Sequence, residues 1–263
     1  MKNKNEFISM MKHNLDVLNV ARFDYLYIYS DFRFLGKYLK FFSSKEEFFK
    51  SITSVLLTYT GTIIIPTFTY TTSGVFDVSS TETFLGSMNN WILNKKERAR
   101  SEHPLFSFAS IGKGKDIVQN IGKSSFGYDS VHDRLSSVNA GFLNIGRPLE
   151  HGNTILHYVE QLCGASYRFN KCFKTRVVNK SRFIGTDYTS FLRRRDVSGE
   201  DFSFTFKKAS KILRENKIIK EVGGPFQNIT TYPYKETLEI LLKEFYIDQN
   251  IFIKSNYKNY GDL

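Results

Sequence analysis

Two side chains of this 263-residue sequence have the types and the spacing of an acid–base pair. His157 and Glu160 stand three residues apart, in a segment predicted to be a helix with Thr154 at its N-cap. Side chains three apart are neighbours on one helical face, and a carboxylate beside an imidazole fixes its tautomer and stabilises its protonated form. The pair therefore has the chemistry of a supported general base, although a surface His–Glu pair would show the same spacing.

Two other histidines give weaker signals. His103 precedes Pro104 at the entrance of an apolar segment, where the proline restrains the histidine backbone. An ordinary structured loop has the same pattern. His132 lies within residues 126–133, which are rich in turn-forming types and are predicted to form a loop.

The sequence predicts neither a metal centre nor a thiol nucleophile. The spacing of the histidines at positions 103, 132, 151 and 157 matches no metal-ligand pattern. Cys163 and Cys172 form no CxxC pair. Cys163 also falls on a different helical face from His157, which disfavours a cysteine mechanism. The sequence contains no G-x-S-x-G elbow and no glycine-rich phosphate loop.

An alternation of helix and strand patterns surrounds these residues. Helical spacing over residues 5–18 is followed by a strand pattern over residues 25–29, a capping box S-x-x-E that opens a helix at Ser44, and an apolar run over residues 61–65 that Pro66 stops. A strand that is apolar on both faces is typical of a sheet covered by helices on both sides. This order predicts an α/β layered core.

The same patterns continue through the rest of the chain without a repeat or a linker, which predicts one domain over residues 1–263. Further helices are predicted over residues 81–94, 115–121, 154–163, 207–216 and 234–246, and further strands over residues 105–111, 140–145, 165–178 and 202–206.

The composition is that of a folded protein and excludes a disordered or low-complexity chain. Hydrophobic residues make up 41% and charged residues 24% of the sequence. The apolar runs are far shorter than the roughly twenty residues of a membrane-spanning helix, and the N-terminal region lacks the apolar stretch of a signal peptide. We therefore expect no membrane association and a cytoplasmic location.

Positive charge is concentrated in one part of the chain. Of the formal net charge of +11, residues 168–220 contribute +10, from fifteen lysines and arginines and five acidic residues. This basic stretch could form a subdomain, and it favours polyanions as partners: nucleic acid, an acidic membrane surface or a phosphorylated small molecule. Nucleic acid is disfavoured because no nucleic-acid-binding motif accompanies the 25 phenylalanines and 15 tyrosines, which are spread along the whole sequence.

Six short motifs, taken in order, resemble those of the aminoglycoside 3-N-acetyltransferase family, the acetyl-CoA-dependent antibiotic N-acetyltransferases. The motifs are Tyr29-Ser30-Asp-Phe-Arg33-Phe-Leu-Gly36, Gly61-Thr62 with Pro66-Thr67-Phe68-Thr69, Phe76-Asp77, Arg100-Ser-x-His-Pro104 with Ser107-Phe108-Ala109, Phe126-Gly-x-x-Ser130, and Asn153-Thr-x-x-His157-x-x-Glu160. The likeness covers most of residues 5–165. It implies a central mixed sheet flanked by helices, in a fold that differs from the GNAT fold.

The resemblance also implies an activity and a set of site residues. The activity is acetyl transfer from acetyl-CoA to an amine of an amino sugar, without a metal, with His157 as the general base and Glu160 as its support. The residues implied to hold coenzyme A are Ser30, Asp31, Phe32, Arg33, Phe34, Leu35, Gly36, Pro66, Thr67, Ser107 and Phe108, and those implied to meet the acceptor are Asp77, His103 and Thr154.

Two departures from the family pattern bear on the ligands. Asp31 places an acid where the family has a hydroxyl, and the basic stretch would repel a polycationic aminoglycoside. The sequence therefore leads to the hypothesis of a nucleotide-linked amino sugar as acceptor, as used in surface polysaccharide synthesis. An aminoglycoside acceptor and a non-catalytic relative that binds a polyanion are the alternatives, and a homodimer stays open.

Overall fold

The computed structural model describes residues 3–194, 204–223 and 229–254. The helices are α1 (Lys4–Val17), α2 (Lys45–Tyr59), α3 (Ser87–Leu93), α4 (Val131–Ser136), α5 (Ile155–Leu162), α6 (Lys207–Glu215) and α7 (Tyr234–Ile247). The strands are β1 (Tyr25–Ser30), β2 (Thr62–Pro66), β3 (Val75–Asp77), β4 (Ala99–Arg100), β5 (Phe108–Gly112), β6 (Ala140–Ile145), β7 (Arg168–Phe173), β8 (Arg176–Asn179), β9 (Arg182–Gly185), β10 (Tyr188–Arg193), β11 (Lys220–Val222) and β12 (Ile229–Pro233). None of these helices combines the length and the apolar character needed to cross a bilayer.

A seven-stranded mixed sheet forms the centre of the fold, in the order β11-β12-β6-β1-β2-β5-β4. Strand β1 runs parallel to both β2 and β6, whereas β5 and β12 are antiparallel to their neighbours β2 and β6. Strands β2 and β6 are buried along their whole length. The predicted apolar strand over residues 61–65 is confirmed as a central strand.

Helices cover both faces of this sheet. On β1, Leu26 and Ile28 point into the apolar cluster that contains α1, α2 and α3, and Tyr27 and Tyr29 point into the cluster that contains α4, α5, α6 and α7. This is the alternation expected of a strand, whose side chains point to opposite faces in turn. The predicted α/β layered core with a mixed sheet flanked by helices is confirmed.

The start of α2 shows how the local sequence sets an element boundary. The Ser44 hydroxyl accepts a hydrogen bond from the Glu47 backbone N–H at 3.1 Å, as the capping box predicts. The Glu47 carboxylate accepts from the Ser43 N–H at 2.7 Å, one residue earlier than in the standard box. A cap of this kind contributes about 1 kcal/mol to helix stability.

The helix predicted over residues 81–94 is shorter than expected and begins only at Ser87. Side chains hold the segment before it in a loop: Asn90 Oδ1 accepts from the Thr83 N–H at 3.0 Å, and the Thr83 hydroxyl donates to the Phe68 carbonyl at 2.7 Å. Gly86, at a φ of +108°, then turns the chain into the helix.

Other predicted boundaries also differ. The helix predicted over residues 115–121 is a short 3₁₀ turn, Lys115–Val118. The predicted loop over residues 126–133 contains the start of α4. Of the strand predicted over residues 202–206, residues 202 and 203 lie outside the described residues, and Phe204 forms only an isolated bridge with Ile253.

The described parts of the basic stretch, residues 168–194 and 204–220, contribute side chains to the main core. Strand β7 pairs with β10, and β8 pairs with β3 and β9. Phe173 and Leu213 belong to the same apolar cluster as α4, α5 and α7. Acidic partners neutralise part of its charge, as in the contacts of Lys174 with Asp187 at 2.6 Å and of Lys208 with Asp248 at 3.1 Å. A separate subdomain stays a prediction, and Arg195, part of its arginine run, lies outside the described residues.

Candidate active site

The turn after β1 and the approach to α5 lie at one edge of the sheet because β1 and β6 are parallel and end together. Ser30 is paired in register with Ile145 at the ends of the two strands. The segment after β1 forms the 3₁₀ turn Phe32–Phe41, and the segment after β6 leads through Gly152 into α5. Ligands of open α/β sheets bind at such carboxyl ends of strands.

His157 and Glu160 are in contact on the first turns of α5, as their spacing predicts. His157 Nδ1 lies 2.9 Å from Glu160 Oε2. The Glu160 side chain is fully buried, and its Oε1 accepts a hydrogen bond from the Tyr167 hydroxyl at 2.8 Å. The His157 side chain is 19% exposed, with its ring packed against Phe126 and Phe204 at centroid distances of 5.2 and 5.5 Å.

This arrangement suits proton transfer at Nε2, the ring nitrogen that does not contact Glu160. When Nδ1–H donates to Glu160, the lone pair of Nε2 is available to accept a proton. Burial lowers the pKa of His157, and the Arg168 charge lowers it further, whereas Glu160 raises it. The ring is therefore neutral near pH 7, as a general base requires.

Arg168 is a contact of this pair that the sequence analysis did not identify. Its Nη2 lies 2.8 Å from His157 Nδ1, and its Nε lies 2.7 Å from Glu160 Oε2. The signal in the sequence was weak because Arg168 is one of fifteen basic residues in its stretch. Only the folded structure, which brings the start of β7 next to α5, distinguishes Arg168 from the other basic residues.

Thr154 is the centre of a buried hydroxyl network. Its Oγ1 lies 3.0 Å from the Tyr27 hydroxyl, 2.9 Å from the Tyr29 hydroxyl and 2.8 Å from His132 Nε2. It occupies the predicted N-cap position but makes no capping hydrogen bond. Asn153 Oδ1 accepts from the Ile155 N–H at 2.9 Å instead. Because the Thr154 side chain is engaged by protein groups, its implied contact with the acceptor stays a prediction.

His132 is fully buried in α4 and joins this network to α7. Its Nδ1 lies 2.6 Å from the Tyr234 hydroxyl. The prediction of a loop here is wrong. Ser130 and Asp133 form an S-x-x-D helix cap, in which the Ser130 hydroxyl accepts a hydrogen bond from the Asp133 N–H at 3.2 Å. That spacing was the sequence signal for the helix.

His103 supports a loop with both of its ring nitrogens. Nδ1 accepts hydrogen bonds from the N–H groups of Leu105 and Phe106, each at 3.2 Å, and Nε2 lies 3.0 Å from the Thr189 carbonyl oxygen. These contacts take Leu105 and Phe106 out of the predicted strand, which begins at Phe108. The loop places the Phe106 ring 6.4 Å from that of His157. His103 thus braces the site in this structure, and a contact with the acceptor stays a prediction.

Asp77, the third residue implied to meet the acceptor, lies at the end of β3. Its Oδ1 accepts hydrogen bonds from the Ser79 N–H at 2.7 Å and the Lys180 N–H at 3.4 Å. The hydrogen bonds lower the pKa of the Asp77 carboxyl, although its partial burial opposes this. The contacts hold β3 beside β8, and an acceptor role stays a prediction.

The turn after β1 lines a cleft of about 580 Å³. Of the residues implied to hold coenzyme A, those on the wall of this cleft are Ser30, Asp31, Phe32, Arg33 and Gly36. Leu35 is buried, and the side chain of Phe34 lies outside what the structure describes. Hydrogen bonds from Arg33 hold the pKa of the Asp31 carboxyl below its usual value.

Cationic side chains also reach this cleft. Lys45 and Arg147 are on its wall, and Arg147 stacks on Tyr29 with its Cζ 5.6 Å from the ring centroid. The Nε of Arg147 is buried without a hydrogen-bond partner within the described ranges. A buried guanidinium N–H without a partner is uncommon and suits an anionic ligand.

The remaining residues implied to hold coenzyme A are buried at the ends of β2 and β5. Thr67 and Ser107 are fully buried, and their hydroxyls lie 3.0 Å apart. Phe108 is in the core. The Pro66 carbonyl accepts from Asn89 Nδ2 at 2.6 Å, and Asn89 is on the cleft wall. Of these four residues, Pro66 is in contact with the cleft wall through Asn89, and direct contact of any of them with coenzyme A stays a prediction.

Aromatic rings connect the cleft to His157. Phe84, on the cleft wall, packs against Tyr70 at 5.1 Å, Tyr70 against Phe106 at 5.3 Å, and Phe106 against His157. The candidate base therefore lies at the same edge of the molecule as the turn after β1. No group of three or more metal-ligating side chains occurs among the described residues.

The two fully buried histidines make the fold sensitive to acid. Burial lowers the pKa of His103 to about 4 and that of His132 to about 3, against an ordinary value of 6.5. The unfolded chain therefore binds protons that the folded chain excludes, so stability is present above pH 6.5 and falls as the pH drops toward 4. We expect a loss of about 2.7 kcal/mol for each pH unit below 6 from the two groups together.

This loss can be measured as the free energy of urea unfolding at several pH values. The variant His132→Gln should show about half the slope between pH 6 and pH 4.5, whereas the control His151→Gln, at an exposed site, should keep the slope of the wild type. A wild-type unfolding free energy that is flat over this range would contradict the burial of neutral imidazoles.

Comparison with known proteins agrees with this architecture. The profile of the family described as Aminoglycoside 3-N-acetyltransferase matches residues 39–223, well over half of the chain. A search of curated protein sequences finds no match.

The solved structures to which the chain is similar include three proteins of low sequence identity. A mutant of the aminoglycoside acetyltransferase AAC(3)-IVa in complex with a gentamicin is 18% identical, with 94% of this chain and 91% of that chain covered and a TM-score of 0.71. The YokD protein from Bacillus subtilis is 16% identical, with 90% and 98% covered and a TM-score of 0.71. The enzyme AAC-IIIb, in a binary complex with CoASH, is 12% identical, with 95% and 98% covered and a TM-score of 0.74.

These structures establish the fold, and the family match extends from the turn after β1 through α5 to β11. The chain belongs to the aminoglycoside 3-N-acetyltransferase family, and it is an N-acetyltransferase that uses acetyl-CoA as its co-substrate.

Proposed function

We propose that this N-acetyltransferase acetylates an amine of an aminoglycoside-type amino sugar, with His157 as the general base. The observation that supports the base is the contact between His157 Nδ1 and the buried Glu160 carboxylate, which leaves the lone pair of Nε2 available to accept a proton. An amine is mostly protonated near pH 7 and cannot attack a thioester until it loses a proton. His157 takes that proton, and Glu160 stabilises the imidazolium that results.

The cleft beside the turn after β1 is the proposed site of coenzyme A. Its wall combines the aromatic Phe32 and Phe49 with the cationic Lys45 and Arg147, which suits a ligand with an apolar arm and phosphates. Acetyl-CoA supplies the activated acetyl group. Only the few aromatic side chains from Phe84 to His157 lie between this cleft and the proposed base.

We expect the variant Arg147→Ala to raise the KM for acetyl-CoA about tenfold, since a hydrogen bond to a charged group contributes about 1.5–3 kcal/mol. The kcat should change little, because Arg147 is not in contact with His157 in the proposed arrangement. Steady-state kinetics with varied acetyl-CoA measure this. The matched control is Lys37→Ala, a cation on the exposed side of the same turn. An equal rise in KM for both variants would show that the effect is one of general surface charge.

The acceptor proposal follows the family and one of its structural relatives. The aminoglycoside acetyltransferase with the same fold was solved with a gentamicin bound. A nucleotide-linked amino sugar is the second candidate, favoured by the net charge of +10 over residues 168–220. Ion pairs weaken that argument, because Arg168 and Arg214 of this stretch bind Glu160, Glu150 and Glu221.

A thiol-release assay with acetyl-CoA and a panel of acceptors tests the proposal. The panel contains gentamicin, a free amino sugar and an amino sugar linked to uridine diphosphate, and mass spectrometry identifies the acetylated product. Turnover with gentamicin above that with the nucleotide-linked sugar supports the proposed acceptor. Turnover with the nucleotide-linked sugar alone would overturn it in favour of the second candidate.

A further inference from the structure

Two opposite charges meet at a single nitrogen of His157. Nδ1 is 2.9 Å from the Glu160 carboxylate oxygen Oε2 and 2.8 Å from the Arg168 nitrogen Nη2. The same Oε2 is 2.7 Å from Arg168 Nε, an ion-pair contact that is not aligned as a hydrogen bond. The three side chains therefore form a closed triangle of charged and titratable groups.

The chemistry of these groups makes the two contacts of Nδ1 mutually exclusive. A carboxylate only accepts and a guanidinium only donates, while an imidazole nitrogen does one or the other. If Nδ1–H donates to Glu160, Nε2 carries the lone pair and the ring can act as a base. If Nδ1 accepts from Arg168, Nε2 carries the proton and the ring cannot.

We infer that Arg168 is a positioning residue of the proposed base: through its contacts with Glu160 and Nδ1 it sets the pH above which His157 can accept a proton. The inference rests on the role of His157 in the proposed function. It assigns to Arg168 a task that differs from packing, since the guanidinium acts through two other side chains and not on the acceptor.

The surroundings of Arg168 hold its guanidinium in this place. Its side chain is 4% exposed, its Nη1 donates to the Phe191 carbonyl at 2.7 Å, and its Cζ lies 4.7 Å from the centroid of the Phe204 ring. The strand pairing of β7 with β10 fixes the carbonyl, and Phe204 also contacts the His157 ring. The charge therefore cannot move into solvent without breaking these contacts.

The charged and titratable groups around His157 come from several elements. They are Glu160 on α5, Tyr167 and Arg168 at the start of β7, Arg193 on β10, whose Cζ is 5.3 Å from the Phe204 ring, and the buried His132 on α4. Among these groups, only Glu160 carries a negative charge. Removal of Arg168 would remove a repulsion from the imidazolium and leave the attraction of Glu160 without a counter-charge, and both changes favour the protonated ring.

The pH dependence of kcat/KM tests this inference. In Arg168→Met, which keeps an apolar side chain against Phe204, we expect the acid limb to move to higher pH by about one unit or more, with the plateau above the limb within about threefold of wild type. Arg168→Lys keeps the charge and should keep the limb near its wild-type position. Lys171→Met, an exposed change on the same strand, is the matched control. Equal loss of the plateau in both Arg168 variants, with an unmoved limb, would overturn the inference.

A measurement on the wild-type enzyme covers the case in which Arg168→Met does not fold. In ¹⁵N NMR of histidine-labelled enzyme, with the His157 signal assigned by its loss in His157→Ala, His157 should titrate below the ordinary histidine pKa of 6.5. Titration at or above that value would overturn the inference. This readout needs no turnover, so it separates a failure of the Arg168 assignment from a failure of the proposed base, which His157→Ala kinetics would reveal.

Discussion

The variant His157→Ala is expected to lower kcat by about a hundred- to ten-thousand-fold, which is the range that a positioned general base contributes. The KM for acetyl-CoA should change little, because His157 is not on the wall of the proposed coenzyme A cleft. The folded state should persist, since Glu160 keeps its ion pair with Arg168 and its hydrogen bond from Tyr167 after the ring is removed. Initial rates of thiol release at saturating acetyl-CoA measure the effect.

Two controls are needed to interpret the kinetics of His157→Ala. His13→Ala, an exposed change on α1, should leave kcat unchanged. Circular dichroism of His157→Ala should match that of the wild type. A folded His157→Ala enzyme with wild-type turnover would remove His157 as the base, and the acetyl transfer would then need another proton acceptor.

The variant Phe142→Ala is expected to give the largest loss of stability, about 3–5 kcal/mol. Phe142 is fully buried at the centre of β6, where its ring stacks on Tyr232 at 4.8 Å and on Tyr234 at 5.0 Å and contacts Tyr27 at 5.6 Å. Its removal leaves a cavity against rigid aromatic neighbours that cannot collapse into it. A domain of this kind is stable by about 5–15 kcal/mol, so the loss is a large part of the total.

Urea unfolding measures this effect, with Phe183→Ala as the matched control. Phe183 is 53% exposed on β9, and its removal should cost less than about 0.5–1 kcal/mol. Because Tyr27 and Tyr234 also hold the hydroxyl network of Thr154, Phe142→Ala should reduce turnover as well. A loss below about 1 kcal/mol in Phe142→Ala would show that the aromatic stack is not a central part of the core.

Much of the layered architecture could be predicted from local patterns in the sequence. The strand pattern of β1, the apolar β2 and the capping box at Ser44 all correspond to observed elements. The pairing order could not be predicted, because the insertion of β12 beside β6 joins residues that are far apart along the chain. No local signal encodes such a register, which depends on the fit of buried faces.

The candidate site was predictable where its members share one element. His157 and Glu160 lie on one helix, so their spacing was enough to place them in contact. Arg168 and His132 come from other elements, and only tertiary structure brings them to α5. The contacts of His103 were also outside the reach of a local pattern, because Nδ1 accepts from its own loop whereas Nε2 lies against the Thr189 carbonyl on β10.

The charge argument for a nucleotide-linked acceptor is weakened for a similar reason. The count over residues 168–220 treats each basic group as free, but the acids that pair with Arg168, Lys208 and Arg214 lie largely outside that stretch. Net charge along a sequence segment does not give the field in space, since partners from distant segments cancel it.

The hydrogen bond between Tyr234 and His132 has a consequence for biosynthesis. The interior beside Thr154 is completed by residues 229–247, which leave the ribosome after every other part of the network has been made. Until that segment arrives, β6 is paired on one side only, with β1, and the imidazole of His132 lacks the Tyr234 hydroxyl. The nascent chain therefore cannot complete the packing around α4 and α5 during elongation. A ribosome-stalled chain that stops before residue 229 should remain protease-sensitive through these two helices.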